Sequence, residues 1–344
     1  TERNPEESII AYQLHPMNQL RGSQNANDYY GMMADLLDPT LEKNIMNVGV
    51  GILPCRFAAE ADIIIDKIEK YLSRTDFAYY ANKFLNIGGT GDNHTHDIQA
   101  RSYGSLINQL DLGSSIVTPL IVDAYGYDEA HDKLFDVIED GSMAVNYFGH
   151  GSPRLLNRSG NFFTINDVYK LRNTFHPFIG FAGCEISNCD RGVRGLGEAL
   201  VTATPNGVIG TLLATRETWS GQNYDLFQTF MINLFCDGST VPSPFHARNT
   251  TIGEIYARTK TRSSYNNELA YQLVCDPAIT LPIISRAVVL DQNRYMGAPG
   301  EYNTISGYVS TNNLDDDIDT GFNGEIVIRL MEPYQSLTSQ DLCT

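Results

Sequence analysis

The stretch Met143-Ala144-Val145-Asn146-Tyr147-Phe148-Gly149-His150-Gly151-Ser152 decides the fold. A short apolar run with no helical repeat, closed by a glycine, reads as a strand over 143–149 that is buried on both faces, as strands of helix-covered parallel sheets are. Phe178-Ile179-Gly180-Phe181-Ala182-Gly183 has the same form and is followed at once by Cys184. Between the two, 165–172 reads as a short helix capped by Thr164 or the nearby asparagine. Strand, helix and strand over this distance fit one right-handed crossover, which sets the two strand ends side by side.

Working outward, the same alternation continues in both directions. The segment 58–72 (AAEADIIIDKIEKYL) has apolar positions three to four residues apart and reads as a helix. Strands are expected at 45–53, 84–87, 115–122 and 207–213, and helices at 97–110, 127–138, 196–202 and 225–235. About six strands alternating with helices specify an α/β protein built on a parallel sheet. After Pro282 the texture changes. The segments 287–290, 304–309 and 325–330 are β-like with turn-rich spacers and no helical period between them. The expected organisation is an α/β domain over 1–285 and, over 286–344, the start of an Ig-like β-sandwich, since about 100 residues are needed to complete one.

Composition excludes several functions. With 24 Lys and Arg against 41 Asp and Glu the net charge is −17, opposite to what binding a phosphate backbone requires. No apolar run is long enough to span a bilayer, and Thr1-Glu2-Arg3-Asn4-Pro5 does not open a signal peptide. Cys55, Cys184, Cys189, Cys236, Cys275 and Cys343 are too scattered for a disulfide framework or a paired Cys-x-x-Cys zinc site.

In open parallel sheets, ligands bind beyond the carboxyl ends of the strands. His150 and Cys184 each occupy that position, on strands expected to be about 4.8 Å apart. A cysteine nucleophile needs a base for its proton, and an imidazole can return that proton to a leaving amine. Gly149 and Gly151 allow close backbone approach, so the amides of Gly151 and Cys184 could face a developing oxyanion. The competing reading is a structural cysteine and an unrelated loop histidine.

Other residues fall at the same edge. Arg216 and Trp219 follow the strand at 207–213 and are candidates to line a substrate cleft, as is His96; for Trp219 a core or rim position is the alternative. His94 and His96 beside Asp92 have the side chains zinc prefers, but no further ligand cluster is evident. The turn Gly88-Gly89-Thr90-Gly91 lacks the Lys-Ser/Thr of a phosphate loop. Asp315, Asp317 and Asp319 could hold calcium or form a solvated acidic turn. No other cofactor is expected. Cys189 reads as a loop residue, with a disulfide as the alternative, and Glu198 as a structural carboxylate.

The ordered set Asn146-Tyr147-Phe148-Gly149-His150-Gly151-Ser152, Phe181-Ala182-Gly183-Cys184, Gly197-Glu198-Ala199-Leu200 and Gly207-Val208-Ile209-Gly210 resembles the gingipain-like cysteine peptidases, distant relatives of caspases and legumain. Asp28-Tyr29-Tyr30, Val48-Gly49-Val50-Gly51-Ile52-Leu53-Pro54 and Leu273-Val274-Cys275-Asp276-Pro277 extend the resemblance over roughly 25–285. It implies a caspase-like α/β/α sandwich and acyl transfer through a thioester. His150 would be base and acid, Cys184 the nucleophile, and the amides of Gly151 and Cys184 the oxyanion hole. In gingipains the segment matching 88–96 supplies both an acid that assists the histidine and an aspartate for an arginine pocket; here it offers only Asp92. That departure favours a sortase over an arginine-specific protease. Ile305-Ser306-Gly307-Tyr308-Val309 and Phe322-Asn323-Gly324-Glu325-Ile326 resemble the β-module of the surface sortases of the type IX secretion system. The resemblance thus implies an endopeptidase or transpeptidase that cleaves carboxy-terminal sorting signals and passes the product to a surface amine. Its partners would be outer-membrane secretion proteins, and its place the extracellular face of the outer membrane of a Bacteroidetes-type bacterium. A secreted degradative protease and a non-catalytic scaffold of a secretion complex are the alternatives.

Overall fold

The computed structural model describes residues 13–14, 24–33, 41, 45–111, 115–157, 162–187, 194–236, 250–262, 267–283, 287–291, 304–310, 318–324 and 326. Its centre is a six-stranded sheet. In chain order the strands are β1 (Lys83–Gly88), β2 (Ile116–Ile121), β3 (Ala144–Phe148), β4 (Phe178–Ala182), β5 (Gly210–Ala214) and β6 (Tyr271–Val274). In space they run β6-β5-β4-β3-β1-β2, with β1 to β5 parallel and β6 antiparallel to β5.

Successive strand residues alternate between two cores, as a period of two demands. Phe84, Ala144 and Phe148 face one core, filled by α2 (Thr95–Leu110), α5 (Ser220–Cys236) and α6 (Ile252–Arg262). Leu85, Ile87, Val145 and Tyr147 face the other, with Ile64 of α1 (Ala58–Leu72), α3 (Tyr127–Asp140) and α4 (Leu196–Thr202). The expected layered α/β/α arrangement is therefore present.

Where the structure departs from the sequence reading, the causes are local. The segment 45–53 is not a strand of the sheet: Ile45, Val48 and Leu53 are 58%, 50% and 42% exposed. It meets β6 only through a bridge from Gly51 to Leu273, with Ile52 N donating to Leu273 O at 2.9 Å. Its glycines exist for contact: a Cβ on Gly49 would lie 2.2 Å from Gly253, and one on Gly51 2.3 Å from the Cys275 carbonyl. The sixth strand is instead β6, too short for its period to be read. The 165–172 helix shrinks to a 3-10 turn, Asp167–Lys170, in which the Asp167 carboxylate accepts from Thr164 N and Oγ1 at 2.8 and 2.7 Å. The fifth strand starts at Gly210 because Gly207 turns with φ of 92°. On the outer strand β2, Pro119 stands opposite Asn86. Beyond the sheet, β7 (Ala287–Leu290) pairs antiparallel with β8 (Gly307–Ser310). The expected strand at 325–330 lies outside the described residues except for Ile326, which is in no strand.

Two buried polar devices tie the layers together. Asp28 accepts from Lys260 Nζ at 2.7 Å and from the Tyr256 hydroxyl, and Lys260 also donates to Tyr271 O at 2.8 Å. The Asp28-Tyr29-Tyr30 turn is thereby clamped to α6 and β6. On the other face Lys67 of α1, 2% exposed, donates to Val201 O at 2.7 Å and to the carbonyls of Leu200, Asn206 and Val208, each at 3.3 Å. It satisfies carbonyls that the end of α4 leaves open.

Burial pushes the Lys67 pKa down to about 7. An unfolded lysine titrates near about 10.4, so between these values the unfolded chain binds more protons and stability rises with pH. Below about pH 7 the ammonium is charged in both states and its desolvation penalty is fully present. Lys67→Met is expected to flatten the rise in unfolding free energy between pH 7 and 10, as measured by urea titration at several pH values. An unchanged slope would mean that the amine is solvated in the folded state.

Candidate active site

The site grows from the ends of β3 and β4, which are adjacent and in parallel register from Ala144↔Phe178 to Phe148↔Ala182. His150 and Cys184 leave this pair two residues beyond it. The backbone at His150 is pinned twice: its carbonyl accepts from the Tyr147 hydroxyl at 2.7 Å and from Asn157 N at 2.8 Å. Tyr147 folds back over the turn so closely that a Cβ on Gly149 would fall 2.4 Å from its hydroxyl. Gly151 is required for a different contact. A Cβ there would lie 2.2 Å from Ile186 Cδ1 and 2.7 Å from Cys184 O, so the histidine turn and the cysteine loop are packed backbone against backbone. Gly151 bridges to Leu156, but the flanking bonds are made by Ser152 N to Leu155 O at 3.0 Å and by Asn157 N to His150 O. The Gly151 amide therefore stays outside the ladder.

Cys184 is half-buried and reduced. Its Sγ donates to Thr218 O at 3.3 Å and receives Thr218 N at 3.4 Å and Thr218 Oγ1 at 3.7 Å. Thr218 thus holds the sulfur in place from its backbone and its side chain. The loop that follows runs beside the segment after β5, with Glu185 N donating to Arg216 O at 3.2 Å and Ser187 N to Ala214 O at 3.3 Å. Buried Glu198 of α4 anchors it by accepting from Ser187 Oγ at 2.6 Å, the structural role expected of it.

Facing His150 is the turn after β1. Asp92, Asn93 and His94 all have left-handed backbones, with φ of 49°, 53° and 63°, and they follow Gly91 at 96°. Three consecutive non-glycine residues in this region are uncommon and costly. The result is that one Asp92 oxygen stands 3.4 Å from His150 Nε2 and the other 3.4 Å from His96 Nε2. The two imidazoles lie edge to face at 5.3 Å. Burial lowers the His96 pKa, keeping that ring neutral.

Several candidates are brought together and others are not. His150, Cys184, Gly151 and Asp92 converge at the strand ends. Trp219 is 51% exposed and adjoins Thr218, with its N donating to Asn267 Oδ1 at 3.0 Å. Arg216 does not line an open cleft: it is 2% exposed and folds back to donate to Thr215 O at 2.6 Å, because its backbone is held against the cysteine loop. His96 is likewise 2% exposed, on the inward face of α2, and so is not a cleft residue either. His94 diverges from it toward Asp97 and Asp123, at 3.3 and 3.8 Å. Asp319 accepts from Gly321 N at 3.1 Å within its own turn, while Asp315, Asp317 and Cys189 lie outside the described residues. Thr218, Tyr147 and Asn157 were not singled out by the sequence; only their distance from a strand end could have marked them.

A family model described as Peptidase family C25 matches residues 2–282. Among solved structures, the Arg-specific cysteine proteinase gingipain R is similar at a TM-score of 0.60 and 18% identity, over 79% of this chain and 63% of that one. A complex of the Porphyromonas gingivalis RgpB pro- and mature domains gives 0.60 and 17%, over 78% and 64%. A structure titled only as a protease gives 0.56 and 15%, over 83% and 66%. The chain thus spans less than two thirds of the length of these solved relatives. No curated protein matches it in sequence.

Proposed function

The chain belongs to peptidase family C25, and from that membership we propose that it is a cysteine peptidase acting through His150 and Cys184. The observation that carries the reading is the pairing of β3 with β4, which sets both side chains at one sheet edge with Asp92 behind the histidine. With Nε2 of His150 turned toward Asp92, Nδ1 is the nitrogen left to take the Cys184 proton and later return it to the leaving amine. Asp92 stabilises the imidazolium formed between those steps. The thiolate attacks the scissile carbonyl, and the amides of Gly151 and Cys184 are suited to the oxyanion. The thioester is released by whichever nucleophile reaches it.

The finer reading is a surface sortase of the type IX secretion system. The tail motifs at 305–309 and 322–326 and the single acid in 88–96 support it. The substrates would then be carboxy-terminal sorting signals, the acceptor an amine, and the place the outer face of the outer membrane beside secretion-complex proteins. Among the described residues no helix is long and apolar enough to cross a membrane. Intact-mass analysis of a sorting-signal substrate, with a candidate amine and with or without Cys184→Ala, tests both levels. A product carrying the amine, absent with the variant, supports the sortase; a water adduct supports a hydrolase; no cleavage by either protein overturns the enzymatic reading.

Tyr147 positions the base without touching substrate. Tyr147→Phe removes one of the two bonds to the His150 carbonyl, worth about 1 kcal/mol, or roughly fivefold if fully expressed in the transition state. The expected result is a fall in kcat with KM nearly unchanged, measured on a peptide substrate. A change in KM alone would assign Tyr147 to substrate binding instead.

A further inference from the structure

We propose that Asp92, His96 and His150 form a binding site for a divalent transition metal ion of the zinc type, and that its occupation silences the peptidase. The donor atoms of the three residues lie within 4.8 Å of one another. Both histidine-to-carboxylate distances are 3.4 Å. That is long for a charge-assisted hydrogen bond, which closes to about 2.7–2.9 Å. The two distances run to different Asp92 oxygens, so the carboxylate lies between the two imidazoles, and a small rotation of its side chain brings one oxygen to the separation of about 3.3–3.4 Å that two ligands have when each stands about 2.0–2.1 Å from one tetrahedral ion.

The second observation is His96 itself. Its side chain is 3% exposed, and among the described residues its Nε2 has no hydrogen-bond partner. The tautomer follows from Gln99, whose Nε2 donates to Ser220 O at 3.1 Å and to Ser220 Oγ at 3.0 Å. That orientation turns Gln99 Oε1, an acceptor, toward His96 Nδ1 at 3.4 Å. Nδ1 therefore carries the proton, and the Nε2 lone pair points at a carboxylate oxygen. A buried imidazole lone pair and a half-exposed carboxylate facing each other form an arrangement that a cation would stabilise. A metal-ligating histidine commonly donates its other ring N–H to such an outer acceptor. Two imidazoles and a carboxylate with a free fourth position are a donor set zinc uses. Asp92 and His150 are 48% and 27% exposed in their side chains, which leaves the ion a path from solvent.

Silencing follows from proton bookkeeping, and this part alone rests on His150 being the base. A neutral imidazole has one proton and one lone pair. A metal that takes the Nε2 pair leaves the proton on Nδ1, so the ring cannot accept the thiol proton.

The test uses Co2+ as a spectroscopic probe and Zn2+ as the competitor, with the full chain carrying Cys184→Ala so that the nucleophile cannot ligate. One equivalent of Co2+ should bind with the intense visible absorption of tetrahedral coordination, be displaced by Zn2+, and weaken by about tenfold or more in His96→Ala and in the surface variant Asp92→Ala. Wild-type activity should fall with Zn2+ and return with a chelator. No saturable binding at micromolar metal would overturn the site. So would binding that survives both variants but is lost in His94→Ala. Binding as expected without inhibition would keep the site and sink the silencing, and with it His150 as base.

Discussion

Cys184→Ala is expected to lower kcat/KM by about 10^4-fold or more, leaving only what oriented binding and the oxyanion amides supply. His150→Ala should fall to a similar level, and the double variant little further, because the two side chains act in one step. A thiol-directed electrophile should add one mass to the wild-type chain at Cys184 and none there in the variant. Cys236 and Cys275 are buried, and burial raises the thiol pKa of Cys275. Retention of full activity by either single variant would remove that residue from the mechanism.

Asp28→Ala should destabilise the chain by about 3–5 kcal/mol, the cost of leaving one member of a buried ion pair without its partner. Asp28 and Lys260 have side chains only 3% and 4% exposed. The Tyr256 hydroxyl loses an acceptor in the same change. Adding Lys260→Met to the variant should recover part of the loss, since no uncompensated charge then remains. Denaturant titration at neutral pH measures both. A loss below about 1 kcal/mol would show that water reaches the pair.

Much of the fold was legible because the strands buried on both faces are short apolar runs ended by glycine, and the α1 and α4 patterns match their helices end to end. The adjacency of the strands that lead to His150 and Cys184 followed from the crossover rule. What failed has physical causes. An apolar run such as 45–53 reads as a buried strand, yet its glycines serve to pass close to another backbone. Arg216 sits at a strand end in sequence, but its side chain turns inward. The grouping of Asp92, His96 and His150 was invisible as a set because His150 follows β3 while His96 belongs to α2, and only the sheet brings the two together.

The two outer strands carry one more consequence. On β2, Pro119 has no N–H to offer a neighbour, and on the opposite side the 49–52 segment already occupies the rim of β6 through Gly51 and Ile52. Edge strands treated this way resist recruitment of another chain by strand addition. The central sheet is thereby kept from polymerising with extended polypeptides through its edges. On the proposed peptidase reading, a client would instead be gripped by loops above the strand ends, where it is released once its bond is cut.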